Sequence, residues 1–285
     1  MSVTVAALLD AARQRIAPGE ARLLLGHLLG RSAAWLEAHR DDPLLSGAAA
    51  EFSALVARRA AGEPVAYLLG TREFYGRNFR VTPAVLIPRP ETELLVDLAL
   101  QKVGAGGTAA ILDLGTGSGC LAITLALELP LARVTAVDVS VAALAVAREN
   151  VARLGARVEC VASDWFAALP PARYDLIVAN PPYVAAGDPH LTEGDLRFEP
   201  TGALTDGTDG LAALRHIVAT ASDWLAPGGW LFCEHGYDQA AAVAELLRGA
   251  GFTSIEQQAD LAGILRASGG RIPDQFSQTL SGAPP

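Results

Sequence analysis

Four consecutive residues, Asn180-Pro181-Pro182-Tyr183, combine groups that can act on a weakly nucleophilic nitrogen. An amide or exocyclic amine attacks poorly because its lone pair is delocalised. The Asn180 side-chain carbonyl and the Pro181 backbone carbonyl offer two acceptors that can hold both N–H bonds and aim the lone pair at an electrophile. The prolines stiffen that backbone, and Tyr183 can lie against a flat target group. Asn-Pro also starts ordinary turns. Here, however, the run follows the apolar strand pattern Tyr174–Ala179, at the edge where an α/β sheet places its ligands. Asn180, Pro181 and Tyr183 are therefore the candidate catalytic residues, with Pro182 a further substrate contact.

A second cluster, Asp113-Leu114-Gly115-Thr116-Gly117-Ser118-Gly119, follows an apolar run and opens a helical pattern. Glycines permit close backbone approach, and helix N-terminal amides favour a carboxylate or phosphate. The dinucleotide fingerprint G-x-G-x-x-G would need its third glycine at Cys120. The spacing is instead G-x-G-x-G behind an acid, which resembles motif I of class I S-adenosylmethionine (SAM) methyltransferases. On that likeness Asp113, Gly115, Thr116, Gly117, Ser118 and Gly119 become cofactor-binding candidates. Asp138 closes the next strand pattern, where a carboxylate can accept both ribose hydroxyls. Asp164-Trp165 follows the third; the acid can accept from an adenine amino group and the indole offers a flat apolar face. Asn180 borders the same site. A sulfonium already carries an activated methyl, so positioning outweighs proton transfer, and neither metal nor strong base is expected.

These residues need a scaffold, and the chain supplies two textures. Residues 1–64 carry helix-period patterns holding Leu8, Leu9, Leu24, Leu25, Leu36 and Phe52, a small helical domain expected to dock substrate. Its His27 and His39 suit helix faces better than ligand sites. Residues 65–90 turn aromatic and glycine-punctuated, predicting short strands or a hairpin linker. From residue 91 to 285 strands and helices alternate, the pattern of a doubly wound, mostly parallel sheet. Helices are expected over 121–129, 141–154, 211–225 and 239–248. Between Val184 and Thr208 lies a long polar segment, in which Arg197 and Phe198 are candidate substrate contacts.

Composition narrows the function further. The chain has 285 residues, 51% hydrophobic, with a net charge of −9. That apolar fraction excludes a mainly disordered chain, and the charge disfavours a protein that coats nucleic acid. Through Pro90 there are 11 basic and 8 acidic residues; the remainder has 11 and 23. Cys120, Cys160 and Cys233 stand far apart, suggesting neither a disulfide framework nor zinc. His190, His216 and His235 show no metal or triad spacing. No apolar run is long enough to span a bilayer, so a cytoplasmic protein with no membrane partner is expected, with a monomer the simplest state.

Taken along the whole chain, the ordering resembles the HemK/PrmC-type protein-(glutamine-N5) methyltransferases. The likeness rests on Phe74-Tyr75-Gly76, Ile87-Pro88-Arg89-Pro90-Glu91-Thr92-Glu93, the glycine loop, Asp164-Trp165, Asn180-Pro181-Pro182-Tyr183, Arg197-Phe198-Glu199-Pro200 and Glu234-His235-Gly236. It implies a class I SAM-dependent methyltransferase (Rossmann-like) domain behind a helical domain and hairpin. It also implies SAM as cofactor and the glutamine of the Gly-Gly-Gln motif in peptide chain release factors as acceptor. One departure is Leu265, where the family tends to place a polar or acidic residue before the arginine. A ribosomal-protein glutamine and an adenine or guanine amino group remain alternative acceptors, and a SAM-binding module without activity is the non-enzymatic alternative. The acidic balance of residues 91–285 weighs against stable nucleic-acid binding.

Overall fold

The structure is a computed structural model that describes residues 3–44, 46–104 and 106–274. Helices α1 (Val5–Ala12), α2 (Pro18–Leu29), α3 (Ala33–Ala38), α4 (Ser46–Ala60) and α5 (Val65–Leu69) gather at the N-terminal side. Several of their ends are written locally. Thr4 Oγ1 accepts from the Ala7 amide and Ser32 Oγ from the Trp35 amide, satisfying donors that a first helical turn leaves open. Pro18 opens α2 and Gly30 closes it. Leu24, Leu25, Leu36, Phe52 and Val56 bury in one core, which also takes in Leu68. Strands β1 (Val3–Thr4) and β2 (Pro43–Leu44) pair beside it.

Residues 65–69 are helical, where the sequence texture reads as the start of strands. Pro64 before this short apolar run and Gly70 after it suit a single turn of helix. The hairpin is confined to β3 (Thr71–Phe74) and β4 (Arg77–Arg80), which pair antiparallel.

A single-turn 3₁₀ segment, Pro90–Thr92, leads into α6 (Glu93–Val103). The sheet follows, built from β5 (Ala110–Leu114), β6 (Arg133–Asp138), β7 (Val158–Ala162), β8 (Tyr174–Ala179), β9 (Leu225–Glu234), β10 (Thr253–Ala259) and β11 (Leu265–Arg271). Its order is β10-β11-β9-β8-β5-β6-β7. Strands β5 to β9 are parallel, and β11 and β10 close one edge antiparallel. Side chains alternate between two cores, as pleating requires. Leu176 and Val178 pack towards α6 and α7 (Cys120–Glu128), while Ile177 and Ala179 pack towards α10 (Ala212–Ala221) and α11 (Ala240–Gly249). Ser140 caps α8 (Val141–Leu154) through the Ala143 amide, and Gly155 ends it. A short helix, α9 (Thr201–Leu204), interrupts the long polar segment.

The helix expected over 211–225 stops at Ala221, and Leu225 instead begins β9. A register shift on β8–β9 pairing absorbs Pro227, Gly228 and Gly229 before Trp230 resumes the ladder beside Leu176. Register also levels the strand ends. Leu114 lies beside Ala179 and Val137, Ala179 beside Cys233, and Asp138 beside Ala162. Consequently Gly115, Asp138, Ser163, Asn180 and Glu234 share one edge of the sheet, around the point between β5 and β8 where strand order reverses.

Candidate active site

A cavity of about 330 Å³ opens at that edge. Its floor includes Gly115, Gly117, Asp138 and Asn180; Asp164 and Trp165 form one side, and Val85, Leu86, Pro200 and Ala203 another. The size falls in the range of small-molecule sites, and most of the wall is apolar with a few polar groups converging.

The glycine loop is held from below by Asp113, which is fully buried in β5. Its Oδ2 accepts from the Thr116 hydroxyl at 2.6 Å and the Ala122 amide at 3.2 Å, joining strand, loop and helix. Burial pushes this carboxyl up to about 7. Gly115 adopts φ 73, and a Cβ there would touch the Trp165 ring at 3.7 Å. Trp165 itself sits at φ 48, a strained backbone for a non-glycine residue, which sets the indole over the loop. Gly119 has a different task. At φ 82 it stands 2.9 Å (as a notional Cβ) from Ile123 Cδ1 and 3.3 Å from Ala147 Cβ, so it lets α7 and α8 approach and does not line the cavity. Thr116 and Ser118 are likewise buried beneath the loop.

Asp138 lines the cavity with both oxygens engaged at their backs: Oδ2 accepts from the Gly117 amide at 2.9 Å and Oδ1 from the Ser140 amide at 2.8 Å. Burial raises its pKa from the usual carboxylate value.

Asn180 Nδ2 donates to Thr92 Oγ1 at 3.0 Å, and the Thr92 hydroxyl donates to Glu234 Oε2 at 2.6 Å. The Tyr183 hydroxyl donates to Glu234 Oε1 at 3.1 Å. Among the described residues neither Asn180 Oδ1 nor the Pro181 carbonyl accepts a hydrogen bond from the protein. Neither acceptor is used up by the protein itself. Pro182 faces the cavity, whereas Pro181 is buried and Tyr183 turns its hydroxyl inward to Glu234.

Arg197 and Phe198 lie outside the cavity. Arg197 Nη2 donates to the Ala61 carbonyl at 2.6 Å, and Phe198 packs against Val81, Val85 and Ile87. Both fasten the 184–208 segment to the helical domain and hairpin region. Glu199, unlike them fully buried, does the same: it accepts from the Ile87 amide at 2.9 Å and pairs with Arg89.

The chain matches the family described as "Methyltransferase small domain" over residues 90–194 and the one described as "PrmC N-terminal domain" over residues 4–70. It is 58% identical over 261 residues to the release factor glutamine methyltransferase of Burkholderia pseudomallei (strain K96243), covering 89% of this chain and 92% of that one. The relative of the same name in Bordetella pertussis is 58% identical over 254 residues, covering 89% and 94%. The chain belongs to the release factor glutamine methyltransferase family.

A T. thermophilus 16S rRNA N2 G1207 methyltransferase, solved with AdoMet and guanosine, superposes with a TM-score of 0.52 at 22% identity, covering 71% of this chain and 49% of that one. That likeness speaks for the class I methyltransferase fold. Among the described residues no cluster of three or more His, Cys, Asp or Glu could hold a metal ion, and no helix is long and apolar enough to cross a membrane.

Within this family member, Thr92, Glu199 and Glu234 are polar groups at the site that motif reading did not assign. Glu234 had a usable signal, since it is a charge closing the apolar strand run Trp230–Cys233. Thr92 and Glu199 lie within stretches that carry the resemblance, but their roles were not legible, because their partners lie 142 and 112 residues away in sequence.

Proposed function

We infer that this chain transfers a methyl group from SAM to the side-chain amide nitrogen (N5) of the glutamine in the Gly-Gly-Gln motif of peptide chain release factors. The observation that carries the reading is Asn180: it lines the cavity with its amide tethered to Thr92 through Nδ2, which leaves Oδ1 without a partner in the protein.

The cavity suits SAM on its own chemistry. Gly117 leaves open space where a side chain would stand, and Gly115 leaves room under Trp165. Asp138 and Asp164 line the cavity, a carboxylate can accept from hydroxyl and amino groups, and carboxylates suit a cationic ligand. Bound SAM would supply a methyl on a positively charged sulfur. Asn180 Oδ1 and the Pro181 carbonyl would each accept one N–H of the acceptor amide, turning its lone pair towards the cavity. With the methyl supplied already activated, these two carbonyls need only hold the acceptor nitrogen in line with it and leave a path for the amide proton to solvent. The chain's contribution is positional, which alone is worth several orders of magnitude in rate. The helical domain and the hairpin region after it, together mildly basic through Pro90, are the part we assign to docking the release factor.

Labelled-methyl transfer from SAM to separated release factors, ribosomal proteins and nucleic acid tests this. A single methyl on a release-factor glutamine, read by mass spectrometry, is expected. Label confined to nucleic acid or to ribosomal protein would overturn it.

A further inference from the structure

We propose that Glu234, acting through Thr92, is a positioning residue that decides which end of the Asn180 side-chain amide faces the acceptor. The proposal rests on the methyl-transfer reading and adds to it a reason why the amide points as it does. An asparagine amide is nearly symmetric in shape. Its two ends have opposite hydrogen-bonding character, and only the carbonyl end can hold an acceptor N–H. Something must choose between them.

The choice follows from a chain of single-valued donors. Ionised Glu234 has no proton to give and can only accept. Its Oε2 takes the Thr92 hydroxyl proton at 2.6 Å. That hydroxyl has one proton, so its oxygen faces Asn180 as an acceptor, and the atom 3.0 Å away must be the amide NH₂. The flipped amide would set a carbonyl oxygen against an oxygen lone pair. Asn180 Oδ1 is consequently turned to the cavity. Tyr183 donates to the other carboxylate oxygen, so both ends of the carboxylate act as acceptors. Glu234 is 2% exposed and Thr92 2% exposed, so water does not compete for this polarity.

The relay has a condition: the carboxylate must be ionised. Burial pushes Glu234 up to about 7. The charged or titratable groups around it are Glu91 and Arg89 ahead of α6, Cys120 at the head of α7, Tyr183 after β8, His235 next along the chain, and Arg266 on β11. Of these, Tyr183 hydrogen-bonds the carboxylate, while His235 spends its ring nitrogens on Gly236 and Ser268. A protonated Glu234 can donate to Thr92, after which either amide orientation is tolerated. Turnover should therefore fall on the acid side as Glu234 takes up its proton.

The test measures kcat, KM and the pH profile of methyl transfer to a release factor for the full chain and three variants. SAM binding by calorimetry and the melting temperature serve as fold checks. Thr92→Val keeps the side-chain shape and removes the hydroxyl; its kcat should drop at least fivefold with SAM affinity unchanged. Thr92→Ser restores the hydroxyl and should recover most of that loss. Glu234→Gln cannot titrate and should lose the acid limb that the unaltered chain shows. A Thr92→Val kcat within fivefold of the unaltered chain, or an acid limb that survives in Glu234→Gln, would overturn the relay while leaving the functional reading intact. No methyl transfer by the unaltered chain would sink both.

Discussion

At the scale of single residues, Asn180 and Asp113 illustrate two uses of a buried or half-buried polar group. Asn180 is positioned by what it donates to and acts through what it leaves free. Asn180→Ala removes the acceptor without touching the glycine loop. Methyl transfer should fall by about a hundredfold, in line with losing one positioning contact, while calorimetric SAM binding persists; unchanged turnover would refute the assigned role. Asp113 instead organises the loop from beneath and does not line the cavity. Its folded-state value near 7 lies above the ordinary 3.8, so the native state holds this proton while the unfolded chain gives it up. The stability associated with that proton is complete below about pH 4 and declines as pH rises through 7. Melting temperature should therefore drop more steeply between pH 5 and 8 in the unaltered chain than in Asp113→Asn. Parallel slopes for the two proteins would count against the argument.

Among the elements, glycines that look alike in sequence carry different loads. Gly155 ends α8 at φ 68 with open space around it, so Gly155→Ala pays only the left-handed backbone penalty, about 1–2 kcal/mol. Gly119 combines φ 82 with close quarters for any added Cβ, 2.9 Å from Ile123 within α7 and 3.3 Å from Ala147 across the α7–α8 crossing. Gly119→Ala should cost roughly 1–3 kcal/mol more, through forced displacement of packed groups. Urea unfolding of the two variants would separate them, and equal midpoints would contradict the packing role. Other elements were readable because their signals are local. Ser32 and Ser140 at helix starts, Gly30 and Gly155 at helix ends, and the run of β5, apolar but for Asp113, all act within a few residues. The start of β9 at Leu225 was not readable, because Pro227-Gly228-Gly229 interrupts its pattern and only pairing with β8 holds the strand together.

For the whole molecule, the long 184–208 segment joins the two halves. Arg59 on α4 pairs with Glu20 on α2 and with Asp195 at 2.8 Å, while Arg197 reaches the Ala61 carbonyl. Arg59→Ala should raise the KM for release factor several-fold and speed proteolysis within this segment. SAM affinity should stay constant, since Arg59 does not line the cavity; a matching loss of SAM binding would show that the halves are coupled otherwise. The amino-acid order by itself determined the acceptor motif, the glycine loop, the strand-terminal acids and the alternation of strands and helices. All of these depend on residue type and short-range spacing. Tertiary structure alone decided that Gly119 serves packing, that Arg197 and Phe198 fasten the segment instead of lining the cavity, and that Thr92 and Glu234 stand behind Asn180. Those outcomes depend on which distant residues the sheet register and the returning chain bring within 3 Å of one another, and no local pattern encodes such a meeting.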